Sequence, residues 1–110
     1  MPTGFHITNR SVAKTILKEG FLGGWGDLGY GVYFYGTIHS ARKYAASGGW
    51  DHELKNPVII EVNDPEIEKI TESDLDPSWE PEKYSDMYWH PVEDESDEYR
   101  WKPEHMWIVK

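Results

Sequence analysis

The sequence predicts one small domain of the α+β class, with two helices in its first half and strands on both sides of them. Three observations carry that reading. The chain has 110 residues, which suits a single modest hydrophobic core. Two segments of helical spacing, each stopped by glycine, precede the clearest strand, Val58 to Val62. Hydrophobic residues make up 38% of the chain, with six Trp and seven Tyr, enough apolar surface to drive folding despite the acidity.

Taken in order, Phe5 to Thr8 reads as a short strand. Asn9 and Ser11 are candidate N-caps for a helix with Val12, Ile16 and Leu17 on one face, ended by Gly20. Five Gly fall between Phe21 and Gly31, around Trp25, Asp27 and Tyr30, a composition that specifies a loop able to approach a ligand closely. Val32 to Tyr35 reads as a buried strand. Thr37 is placed to cap a helix from His39 to Ala46 that stops at Gly48-Gly49. Pro57 to Val62 is bounded by Asn-Pro and Asn-Asp-Pro, the punctuation of a strand. Asp64 to Trp101 holds four of the seven Pro and most of the acids, which predicts short irregular pieces, one of them anchored by Ile67 and Ile70. Met106 to Val109 closes the chain as a strand directly after Pro103-Glu104, so Glu104 stands at a strand mouth. The Trp residues read mainly as core and loop anchors, Trp25 excepted, since its Gly-rich surroundings would let it cover a ligand.

Composition narrows the function classes. There is no Cys, which excludes disulfides and thiolate chemistry, and nothing resembles a leader or a membrane-spanning stretch. A cytoplasmic monomer is expected. The formal charge of -9 disfavours DNA and RNA as partners, because nucleic-acid affinity comes largely from Lys and Arg on phosphates. The acidity reads first as an ordinary soluble surface; the sharper reading is a surface complementary to a basic protein or one imitating nucleic acid, for which the run Glu93, Asp94, Glu95, Asp97, Glu98 is the best candidate. His39, His52, His90 and His105 lack metal-binding spacing, so no metal is assigned.

A lone His on a strand or a lone Tyr pair is ordinarily a core feature; here their joint order is informative. His6 lies in Phe5-His-Ile-Thr8, Tyr33 in Gly31-Val-Tyr-Phe-Tyr, Tyr44 eleven residues later in Ser40-Ala-Arg-Lys-Tyr, and Glu104 near the C-terminus. This arrangement resembles the His-Tyr-Glu branch of ADP-ribosyltransferases, that of poly(ADP-ribose) polymerases and diphtheria toxin, most strongly over residues 4 to 46. The resemblance implies an ADP-ribosyltransferase-like split β-sandwich: a pair of small antiparallel sheets, two N-terminal helices packed on them, and an NAD+ groove between. It implies NAD+ as co-substrate, with nicotinamide released and ADP-ribose passed to a protein acceptor. By the same resemblance His6 would bond the adenosine ribose, Thr8 would support the strand edge, and the backbone of Ile7 would hold the carboxamide. Ala41 stands where polymerase relatives often have a Ser, one contact to nicotinamide fewer.

The residues suit that chemistry on physical grounds. A flat cationic ring is held well between two aromatic faces, here Tyr33 and Tyr44. Breaking the nicotinamide–ribose bond develops oxocarbenium character, which a nearby carboxylate stabilises. Glu104 is favoured for that duty over Glu61, which alternates with apolar neighbours inside a strand. Arg10, ahead of Arg42, is the expected cation for the pyrophosphate. With these residues the resemblance implies a small, toxin-like mono-ADP-ribosyltransferase. An NAD+ glycohydrolase with the same pocket and a non-catalytic acidic binding module on the same fold are the alternatives. An RNA 2'-phosphotransferase is disfavoured by the presence of only three Arg.

Overall fold

The computed structural model describes residues 1–49 and 52–109, so Trp50 lies outside it. The elements are β1 (Thr3–Asn9), α1 (Arg10–Glu19), β2 (Gly24–Gly26), β3 (Gly29–Tyr35), α2 (Ile38–Ser47), β4 (Pro57–Asn63), β5 (Glu68–Lys69), β6 (Met87–Pro91) and β7 (His105–Ile108). This is an α+β domain with two helices and a seven-stranded antiparallel sheet, in the order β5-β6-β3-β1-β4-β7, with β2 beside β3. No helix among the described residues is long and apolar enough to cross a membrane.

The resemblance implied two small sheets; the hydrogen-bonded strands instead form one path, nearly cut in the middle. β1 and β4 pair along their whole length, from Thr3 opposite Asn63 to Asn9 opposite Pro57. β1 and β3 meet only at Phe5 opposite Tyr35. Farther along the same edge β2 pairs Gly24 with Gly31 and Gly26 with Gly29, and so takes the β3 position, Gly31, that Asn9 of a continued β1 would meet.

The two faces of the sheet are covered differently. On one, Val32, Phe34, Val58, Ile60 and Val62 pack with Ala13 and Ile16 of α1 and with Phe21, Val92 and Trp101 in a single buried cluster. At about 25 cal/mol per Å² of apolar surface, this cluster is the main source of stability. On the other, α2 lies against β1, β3 and β4, with Ala41 fully buried and Tyr44 5.5 Å from Tyr35 between ring centroids.

Several local readings change. The buried stripe of α1 is Ala13 and Ile16, with Leu17 at its margin; Val12 is 47% exposed, because it falls on the outer side once α1 leaves β1. Asn9 is the N-cap by position, but its side chain makes no cap bond. Its Oδ1 accepts from Lys55 N–H (2.9 Å) and Asn56 N–H (3.4 Å), and its Nδ2 donates to Glu53 O (3.3 Å). Thr37 caps α2, accepting from Ser40 N–H at 3.2 Å, and Gly48 ends it at φ 84°. The Gly-rich segment is a tight hairpin, with Gly29 at φ 127°, a conformation side chains disfavour. β6 arises inside the stretch read as irregular. Of the described Trp residues only Trp101 belongs to the core, stacked on His90 and on Phe21, while Trp25, Trp79 and Trp107 are exposed.

Candidate functional site

The parting of β1 from β3 opens a cleft of about 570 Å³, within the size range of small-molecule sites. Its walls are β1 from His6 to Asn9, β3 from Gly31 to Tyr33, the hairpin from Leu22 to Trp25, Tyr44 of α2, and Glu53-Leu54. Two smaller hollows adjoin it and share His6. An inner recess of about 200 Å³ lies between Ile7, Tyr33, Tyr35 and Tyr44. An outer groove of about 480 Å³ runs between α1 and β1, floored by Phe21 and Ile16, with Arg100 at its rim.

The strand pairing settles which backbone groups face the cleft. Arg10 N–H bonds Asn56 O, and Asp64 N–H bonds Pro2 O, so even-numbered residues along β1 bond to β4. N–H and C=O of one strand residue point the same way, and successive residues alternate. Phe5 and Ile7 therefore turn their polar groups toward β3, and at Ile7 the ladder has already ended. In β3, Val92 N–H bonds Tyr30 O and Gly36 N–H bonds Asp86 O, so even-numbered residues serve β6 and Tyr33 faces the gap. A continued register would set Ile7 opposite Tyr33. The Tyr33 carbonyl instead accepts from His6, Nδ1 to O 2.9 Å.

That bond fixes the imidazole. A carbonyl only accepts, so Nδ1 carries the proton and Nε2 of the neutral ring is an acceptor. Burial holds the His6 pKa below its usual value, with the Tyr33 carbonyl opposing that shift, so the ring is neutral at physiological pH. Phe21 and Phe34 meet its edges at 5.0 and 5.8 Å between centroids, which locks its orientation.

Tyr33 is held from three sides. Its hydroxyl donates to Gly29 O (2.6 Å) and accepts from Leu28 N–H (3.1 Å). One ring face stacks on Trp89 of β6 at 5.5 Å and 29°. A Cβ at Gly26 would fall 2.5 Å from the ring, so only glycine lets β2 pass this close. Burial raises the Tyr33 pKa, with Asp27 adding to it and the Leu28 bond opposing it. Asp27 is itself tied to the Tyr84 hydroxyl at 2.6 Å, which anchors the hairpin tip. Burial likewise raises the Tyr35 pKa, with Tyr44 and Asp86 contributing.

Of the residues singled out from the sequence, His6, Ile7, Thr8, Tyr33, Tyr44 and Trp25 share the cleft. Trp25 is 72% exposed at its mouth, edge-on to Tyr30. Arg10 and Glu104 are elsewhere. Arg10, first in α1, borders a separate hollow with Arg42, Ile59 and Ile108, because α1 starts at the β4 side of β1. Glu104 is exposed just before β7, its N–H donating to buried Asp64 Oδ2 at 2.7 Å; β4 lies between β7 and β1 and keeps it from the cleft. Glu61 sits on β4 between Phe5 and Trp107 and does not line the cleft either.

The structure adds residues that the sequence did not mark. Trp89 backs Tyr33, Leu22 and Phe21 line the hollows, and Arg100 supplies a guanidinium, its Nη1 donating to Gly20 O at 3.0 Å. Among the described residues lining the three hollows, Glu53 is the only acid. Comparison with protein-family models, curated proteins and solved structures found no match.

Proposed function

We propose that this cleft binds NAD+ and that the chain is a mono-ADP-ribosyltransferase on an ADP-ribosyltransferase-like split sheet. The observation that carries the reading is the open backbone of Ile7, a donor and an acceptor side by side, next to Tyr33 and Tyr44. A primary carboxamide needs that donor–acceptor pair, and its flat ring needs the aromatic faces. With nicotinamide in the inner recess, the rest of the dinucleotide extends along the cleft past His6. Neutral Nε2 of His6 accepts from a ribose hydroxyl, and Arg100 rather than Arg10 is the guanidinium within reach of the pyrophosphate. Trp25 covers the mouth.

In the reaction the bond from ribose C1' to the nicotinamide nitrogen breaks, and its electron pair neutralises the pyridinium as nicotinamide leaves. An acceptor nucleophile bonds to C1' and gives its proton to solvent. A protein acceptor, favoured to be basic by the acidic surface, completes the transfer; water as acceptor gives the glycohydrolase. A second reading, an NAD+-binding module without turnover, is favoured by one observation, that neither Glu104 nor Glu61 borders the cleft.

The test is nicotinamide release from NAD+ alongside NAD+ binding, read by quenching of tryptophan fluorescence. Release and binding that both vanish in Tyr33→Ala, with unchanged circular dichroism, are expected. Binding without release selects the binding module; neither binding nor release in the wild-type chain sinks the NAD+ assignment.

A further inference from the structure

Among the described residues lining the cleft Glu53 is the one acid, and the last side chain of β1 holds the backbone of its segment. Glu53 lies in the connection between α2 and β4 and lines the cleft beside Leu54, together with Tyr33 and Tyr44. Asn9, the last residue of β1, spends its whole side chain on this connection: Nδ2 donates to the Glu53 carbonyl, and Oδ1 accepts from the Lys55 and Asn56 amides. Arg10 N–H to Asn56 O, 3.0 Å, adds a fourth bond from the same end of β1. An N-cap Asn normally accepts from its own helix. Here it forgoes that bond and clamps a loop against the strand that carries His6 and Ile7.

We propose that Glu53 is the carboxylate of this site, with Asn9 as its positioning residue; the proposal rests on the NAD+ reading above. In this assignment Glu53 accepts from a ribose hydroxyl and stabilises the positive charge that builds on the ring as the C1'–nitrogen bond lengthens. It forms no covalent bond, and the electron pair leaves with nicotinamide as described. Preorganised groups aimed at developing charge contribute about 100-fold or more to turnover, and Glu104, beyond β4, has no such aim.

The test compares Glu53→Gln, Glu53→Asp, Asn9→Ala and the Asn9→Ala/Glu53→Gln double variant in nicotinamide release, with NAD+ affinity measured by fluorescence. Glu53→Gln is expected to lower kcat about 100-fold while leaving NAD+ affinity within about threefold, as for loss of a group that acts mainly in the transition state. Glu53→Asp retains more turnover than Glu53→Gln. Asn9→Ala slows the wild-type chain but not the Glu53→Gln background, since the two act as one unit. Because Glu53 is exposed, its substitutions leave the fold intact, and circular dichroism checks that the Asn9→Ala chains, which lose three bonds to the loop, are folded before their turnover is compared. A Glu53→Gln chain that turns over at the wild-type rate overturns the proposal, as does loss of turnover in Glu104→Gln with Glu53→Gln still active. A wild-type chain that neither binds NAD+ nor releases nicotinamide removes the underlying reading and this one with it, and that outcome is visible before any variant is made.

Discussion

Two glycines in the same three-residue strand should respond oppositely to alanine. At Gly26 an added Cβ would stand 2.5, 2.6 and 2.9 Å from Cε2, Cζ and the hydroxyl of Tyr33; at Gly24 nothing lies within 4 Å. The Tyr33 ring has little freedom to retreat, since its hydroxyl bonds Gly29 and Leu28 and its face rests on Trp89. Overpacking of this kind costs about 1 to 3 kcal/mol, and each hydroxyl bond lost adds about 1. Gly26→Ala should therefore destabilise the domain by about 2 to 4 kcal/mol. Gly24→Ala should stabilise it by up to about 1 kcal/mol, through the smaller entropy of its unfolded chain. With a urea slope of about 1.5 kcal/mol/M, the Gly26→Ala midpoint falls by about 1.3 to 2.7 M and the Gly24→Ala midpoint rises slightly. Urea titration followed by far-ultraviolet circular dichroism measures both, and near-ultraviolet spectra report the Tyr33–Trp89 pair. Equal midpoints for the two variants would refute the account of Tyr33 as a fixed ring against which β2 is fitted.

Other consequences follow from the same contacts. Phe34→Ala, at 1% exposure in the centre of the buried cluster, should cost about 3 to 5 kcal/mol, measured by the same titration. Tyr33→Phe keeps the ring but drops both hydroxyl bonds, and should cost about 1 to 2 kcal/mol with ligand stacking retained. His6 binds its proton less readily folded than unfolded, so the unfolded state takes up more protons below the ordinary value of 6.5. Stability is thus full above that pH and falls as pH drops from 6.5 toward the lower folded value; Tm against pH should show this slope, and His6→Phe should flatten it. Nicotinamide should bind the inner recess in preference to nicotinic acid, which lacks the amide donor for the Ile7 carbonyl; equal quenching by the two counts against the Ile7 assignment.

What the sequence disclosed, and what it hid, divide by the range of the forces involved. Both helices, with Thr37 and Gly48 as bounds of the second, and the β4 strand were legible because caps, stops and apolar runs are local signals. β6 was not: Met-Tyr-Trp-His-Pro shows no alternation and ends in Pro, and every one of its residues is half-buried. β2 was not, since glycines at 24 and 26 have no side chains to alternate. The ordering of His6, Tyr33 and Tyr44 pointed to residues that do meet around one cleft. The positions of Arg10 and Glu104 depend on β4 standing between β1 and β7, a matter of strand order that no short window encodes. Arg100 and Glu53 come from segments without periodicity. Long-range bonds deliver them, the Phe21–Trp101 bridge and the Asn9 side chain respectively.

The contest between β1 and β2 for one edge of β3 has a consequence for how this chain can change. The cavity is not hollowed out of the core but propped open by an added strand, so it takes no packing away from Phe34 and Ile60 beneath. Its width depends both on the length of the segment from Phe21 to Gly31 and on glycine at 26, where β2 runs against the Tyr33 ring. A shortening that removed Gly24–Gly26 would free Gly31, and the register begun at Phe5 and Tyr35 would then have open partners as far as Asn9, provided the Tyr33 carbonyl exchanged its His6 bond for Ile7. The product would be a more regular sheet, stable in its own right, with nowhere left to put a ligand.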